Sequence, residues 1–281
     1  MDQMKVNAIL SALEVQGIPQ IIISDPVVIF YLTGAKIQPG ERLLALYLNR
    51  QGGHKLLVND LFRQTRDLGV EICYYNDIQD GVEILSSFAD PNAPIAIDKN
   101  WPARFLLRLQ ELGCGSRYVN SSDIVDGVRR MKTPEEREKM RRASRGNDAV
   151  MAKLVKLLSE DHTELELKEL LLKAYQSEGF QNFSFEPITA FAGNAADPPH
   201  RPDGSRGHYG DGVVLDIGGL MDDYCSDMTR TVFLGTVSDR QREIYEIVRE
   251  ANRRGIAAAK PGVRMCDVDN AARSYITEME I

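Results

Sequence analysis

The sequence predicts an α/β domain followed by an α+β domain, joined near residue 130. Three observations carry that expectation. A chain of 281 residues exceeds the size at which single hydrophobic cores stop growing, so two cores are the default. Before residue 130, apolar runs of strand length alternate with segments of helical periodicity. After it, helix starts headed by threonine or serine frame a cluster of strand-like runs.

In the first domain, residues 1–130, an amphipathic helix over 4–15 ends at Gly17. Apolar runs at 21–24, 43–48 and 55–58 read as strands, and another at 95–97 precedes a helix at 103–112. Gln51-Gly52-Gly53-His54 is a turn between two of these strands, which makes His54 a solvent-facing turn residue. The turn-rich run Asn120-Ser121-Ser122-Asp123 places the boundary. The second domain, 131–281, opens at Thr133-Pro134-Glu135-Glu136, with threonine as N-cap, proline at the first helical position and a glutamate placed to close a capping box. Thr163 with Glu166 opens a helix over 165–177, stopped by Gly179. Ser238 with Gln241 opens one carrying Ile244, Ile247, Val248 and Ala251, stopped near Pro261-Gly262. Strands are expected over 183–190, 213–217 and 224–233, and Asp267 reads as the N-cap of a last helix through Ala271-Ala272-Arg273.

Composition excludes several classes. No stretch approaches about eighteen consecutive apolar residues, and Met1-Asp2-Gln3-Met4-Lys5 lacks the start of a secretory signal, so no membrane association and a cytoplasmic protein are expected. Cys73, Cys114, Cys225 and Cys266 form no Cys-x-x-Cys pair, which argues against a disulfide framework or a zinc knuckle. A net charge of −7 gives no footprint for nucleic acid. The basic run Arg137, Lys139, Arg141, Arg142 and Arg145 alternates with glutamates and reads as a solvated helix face.

The segment from Val213 to Gly235 reads as a β-hairpin with a carboxylate on each arm. With a two-residue loop at Met221-Asp222, paired residue numbers add to 443 and Asp216 faces Asp227, with Cβ atoms roughly 4.5–5.5 Å apart. Opposed carboxylates repel, so a cation is expected between them. Oxygen ligands of this kind suit Mn²⁺, Mg²⁺ or Zn²⁺, and a bridging pair suits two ions. The same register pairs Thr229 with Val214 on the aspartate face, where its hydroxyl could hold a carboxylate oxygen or a water, and turns Arg230 to the other face. Among 41 acidic residues, two aspartates on a solvated hairpin remain the competing reading.

His200 follows a loop of small residues and prolines, and such loops on rigid scaffolds often carry functional side chains, although a histidine there is commonly just exposed. His208 and His162 offer no ligand pattern, the first being structural or exposed and the second lying ahead of the Thr163 cap.

Leu215-Asp216-x-Gly218 followed by Tyr224-x-Ser226-Asp227-x-Thr229-Arg230-Thr231 resembles the metal-site hairpin of the prolidase, aminopeptidase P and creatinase group, the "pita-bread" metallopeptidases. Asp25-Pro26 with Tyr31-Leu32-Thr33-Gly34, Met131-Lys132-Thr133-Pro134, Phe191-Ala192-Gly193-Asn194-Ala195-Ala196 and Pro261-Gly262-Val263 match in the same order, so the resemblance covers nearly the whole chain. It implies a creatinase-like N-terminal domain and the first αβ half of a pita-bread catalytic domain. By the same resemblance, the activity is hydrolysis of the bond preceding proline in peptides, with two Mn²⁺, Co²⁺ or Zn²⁺ ions held by Asp216, Asp227, a histidine and two glutamates.

The resemblance also makes His200 the histidine that faces substrate and stabilises the tetrahedral intermediate, although Pro199-His200-Arg201 departs from the family's Pro-His-His or His-Tyr. A homodimer through the N-terminal domain accords with family habit. The three remaining ligands are not recognisable in the sequence, so a truncated chain with weak metal binding and impaired turnover is expected. A non-catalytic peptide-binding or oligomerisation module is the alternative from a different class. A creatinase-like amidinohydrolase, which works without metal, is a competing enzyme reading that the intact aspartate pair disfavours.

Overall fold

The computed structural model describes residues 1–197 and 199–280. By internal contacts the chain divides into two units, 1–132 and 133–281. In the first, helices α1 (Gln3–Val15), α2 (Pro26–Thr33), α3 (Gly81–Ser86), α4 (Ala103–Glu111) and α5 (Ser122–Arg130) accompany strands β1 (Gln20–Ile23), β2 (Ala45–Asn49), β3 (Lys55–Asn59), β4 (Glu71–Tyr75), β5 (Pro94–Ile97) and β6 (Arg117–Asn120). The strands form one sheet in the order β4-β3-β2-β1-β5-β6, with β1 antiparallel to β2 and parallel to β5. Every residue of β1 is buried because both faces of the sheet are covered. Ile21, Ile23, Leu46 and Leu48 pack with Ile9, Leu13 and Val125 on one side, whereas Ile22, Tyr47 and Ile95 pack with Val82, Leu85 and Leu109 on the other.

Two local readings change. The run Asn120-Ser121-Ser122-Asp123 is a strand end running into a helix rather than a linker. Ser121 is the buried N-cap residue of α5 and its hydroxyl donates to the Ile97 carbonyl at 3.1 Å, so residues that suit turns serve here at a helix start. His54 is half-buried rather than solvent-facing: its Nδ1 accepts the Asn49 N–H at 3.3 Å, and burial pushes its pKa down.

The second unit begins with α6 (Pro134–Leu157) and α7 (Glu164–Ser177) and continues through β7 (Asn182–Phe183), β8 (Ile188–Phe191), β9 (Gly212–Ile217), β10 (Gly219–Met221), β11 (Tyr224–Cys225) and β12 (Met228–Phe233) to α8 (Asp239–Ala258) and α9 (Met265–Glu278). All three capping boxes form, at Thr133–Glu136, Thr163–Glu166 and Ser238–Gln241. Val150, Leu154, Leu167, Leu171 and Tyr175 from α6 and α7 pack on Val213, Leu215 and Ile217, the inward alternate residues of β9. That packing turns the even-numbered residues of β9, Asp216 among them, to the opposite face.

The expected strands 183–190 and 224–233 are each interrupted. Their pieces belong to two small sheets, β12-β9-β8 and β11-β10-β7. The last helix is capped at Arg264 rather than Asp267, which lies in its first turn and accepts two hydrogen bonds from the Arg264 guanidinium at 2.9 and 2.7 Å. The basic face of α6 is not wholly solvated, since Arg142 pairs with Asp222 at 2.6 Å and Lys139 lies over the Tyr224 ring.

Candidate metal centre

The hairpin has a different register from the one its numbering suggested. Its loop is Asp222-Asp223, both residues having positive φ (50° and 66°), as a two-residue loop that matches strand twist requires. Paired numbers therefore add to 445 in both segments of the hairpin, not 443. Asp216 stands opposite Thr229 instead of Asp227, and Val214 stands opposite Thr231 instead of Thr229. Thr229 Oγ1 donates to Asp216 Oδ1 at 2.7 Å. Asp227, two residues before Thr229, lies in the break between β11 and β12, just ahead of the paired segment that carries Thr229. Asp216 is half-buried and Asp227 exposed, so both carboxylates are open to a ligand. An all-oxygen donor set of two carboxylates fits a hard or borderline divalent cation.

Between the aspartates the ladder is broken at Gly218, held by devices that no local motif signals. The Gly218 carbonyl accepts from Ser184 N at 3.0 Å, Gly219 N donates to Ser226 Oγ at 3.0 Å, and Ser184 Oγ donates to the Ser226 carbonyl at 2.9 Å. Behind it, Asn147 Nδ2 reaches the Ile217 carbonyl at 3.4 Å and Asn147 Oδ1 accepts from the Tyr175 hydroxyl. Burial, with the Asp227 charge adding to it, pushes the Tyr175 phenol far above its usual range. A Cβ on Gly218 would overlap Ser184 Oγ, the Ser226 carbonyl and the Phe185 ring, so only glycine fits. These serines and this asparagine act through geometry that only the folded chain creates.

His200 is docked on Glu164, which none of the motifs above singles out. Glu164, the first residue of α7 and fully buried, accepts from Phe191 N (2.9 Å) and Asn194 Nδ2 (3.0 Å) on Oε1. Its Oε2 takes Asp203 N (3.1 Å) and lies 2.6 Å from His200 Nε2. The signal was present in Thr163-Glu164-Leu165-Glu166, where Glu166 closes the capping box and leaves a second glutamate at a helix start that favours negative charge. Glu164, His200 and Asp203 offer ligand atoms within 4.8 Å of one another, a possible metal triad. Four hydrogen bonds already occupy the Glu164 oxygens, however, and hydrogen bonds from Ser205 hold the Asp203 carboxyl below the usual range, so an anchored loop describes the cluster better.

Beside the aspartate face, the 192–196 turn, β9, β12 and α8 border an open, largely apolar hollow of about 440 Å³, lined in part by Ala195, Val214, Thr231, Tyr245 and Val248. Residues 138–281 match the model of metallopeptidase family M24, and residues 5–131 match the creatinase/prolidase N-terminal domain. The chain belongs to metallopeptidase family M24. An uncharacterized peptidase of Staphylococcus saprophyticus is 30% identical over 98% of this chain and 79% of its own length. Prolidase from Thermococcus sibiricus has a TM-score of 0.92 at 25% identity, over 100% of this chain and 78% of that one. A Pyrococcus horikoshii dipeptidase has a TM-score of 0.88 at 28% identity, over 98% and 78%. An N-terminal creatinase-like domain and the pita-bread fold follow for this M24 chain, as does membership of a family of metal-dependent hydrolases. Among the described residues, no helix is long and apolar enough to cross a membrane.

Proposed function

We propose that the chain is directed at the peptide bond preceding proline, with Asp216 and Asp227 as ligands of Mn²⁺, Co²⁺ or Zn²⁺, Thr229 holding Asp216, and His200 facing the substrate. The hydrogen bond from Thr229 to Asp216 carries this reading. It pins one carboxylate oxygen and leaves the other free, as the outer partner of a metal ligand does. When bound, the ions would polarise the scissile carbonyl and acidify a water. The chain's own groups set the geometry: the aspartates fix where the cation sits, and His200 offers a ring nitrogen to the oxygen on which charge develops. The names of the solved relatives, prolidase and dipeptidase, support short proline-containing peptides as substrates.

The test is release of proline from an Xaa-Pro dipeptide and from a longer Xaa-Pro peptide with Mn²⁺, beside an Xaa-Ala control. Metal-dependent release confined to the proline substrates and lost in Asp227→Ala supports the reading. Equal cleavage of the alanine peptide, or release indifferent to Asp227→Ala, overturns it.

A further inference from the structure

We propose that Glu164 is a positioning residue for His200: its buried carboxylate holds the imidazole through Nε2–H and leaves Nδ1 as the ring atom available to a ligand. The inference rests on the reading of His200 as the substrate-facing histidine. An ionised carboxylate only accepts hydrogen bonds, and Phe191 N, Asn194 Nδ2 and Asp203 N are obligate donors to Glu164. The remaining partner, His200 Nε2 at 2.6 Å, is then a donor too, which fixes where the ring carries its proton. No partner of Nδ1 occurs among the described residues.

The same carboxylate ties the ring to the scaffold. Phe191 ends β8, Asn194 lies in the following turn and Asp203 follows His200, so both ends of the loop converge on one side chain of α7. The backbone repeats the arrangement, with Glu164 N donating to the Ser205 carbonyl at 3.0 Å and Leu165 N to the Asp203 carbonyl at 3.1 Å, which satisfies first-turn amides of the helix. Glu164 is 0% exposed, so solvent does not compete for these bonds. A loop of small residues and prolines thus holds its histidine in one orientation.

The test is nitrogen-15 NMR of the full chain labelled at histidine, with His200 identified among the four histidines by the signals lost in His200→Gln. The expected result is a proton-bearing His200 Nε2 whose proton is protected from exchange, and loss of that protected proton in Glu164→Ala. Nε2 found without its proton in the wild-type chain overturns the proposal, and this arm needs no variant at Glu164. So does a protected Nε2 proton that persists in a folded Glu164→Ala, folding being checked by near-ultraviolet circular dichroism. Titration with an Xaa-Pro dipeptide in Mn²⁺-free buffer probes the reading beneath: a shift at Nδ1 supports the role of His200. No shift there counts against that role and leaves the Nε2 result standing, so the two failures are distinct.

Discussion

Replacing Gly218 with alanine should destabilise the hairpin that carries the two aspartates. The new Cβ would overlap the Ser226 carbonyl, Ser184 Oγ and the Phe185 ring, and the first of these cannot retreat without disturbing the bonds that join Gly219 to Ser226. Overpacking of this kind typically costs about 1–3 kcal/mol, and a blocking backbone atom places the expectation at the upper end. With a urea dependence of about 1–3 kcal/mol per molar, the midpoint of the second unit's transition should fall by roughly 1 M or more. Gly204→Ala is the control, since nothing lies within 4 Å of its added methyl, and surface changes usually stay within about 0.5 kcal/mol. Urea melts followed by circular dichroism decide the matter. A Gly218→Ala midpoint equal to that of Gly204→Ala would refute the argument that the break between the aspartates is sterically fixed.

Three further outcomes are expected. Residues 1–132, which hold their own cores on both faces of the six-stranded sheet, should fold alone with a sigmoidal urea transition; a featureless melt would show that this unit needs the second. Thr163 holds the Glu166 carboxyl below its usual range, a depressed pKa whose stabilisation is present above about pH 4.3 and lost as pH falls through the folded value. Glu166→Gln should therefore flatten the acid limb of the pH–stability curve, and an unchanged limb would remove the capping box from the account. Thr229→Val removes the donor to Asp216 and should weaken Mn²⁺ binding about 10-fold with little change in melting, and equal affinity would deny the hydroxyl its role.

The sequence displayed the features that repeat local rules. Three capping boxes and four of the six strands of the first sheet appear where their residues suggested, whereas β4 and β6 carry no comparable apolar run. Register was less legible because it depends on the turn: Met221-Asp222 and Asp222-Asp223 are both acceptable loops on paper, and the left-handed backbone of the second pair decides between them. The two interruptions fall at Ser184–Pro187 and Ser226–Asp227, which include the poor strand residues Pro187 and Asp227, and hydrogen bonds between segments distant in sequence set where each strand divides. Glu164 was hidden for a similar reason. Its neighbour Glu166 accounted for the local motif, and its four partners come from residues 191–203, a long-range set that spacing cannot display.

The central claim, that the hairpin aspartates hold the metal, is tested most directly by calorimetric titration of Mn²⁺ into the wild-type chain, Asp216→Asn and Asp227→Asn. The expected result is specific binding by the unsubstituted chain and its loss in each variant, because both carboxylates serve the cation and neither alone suffices. An isotherm unchanged by either substitution would contradict it.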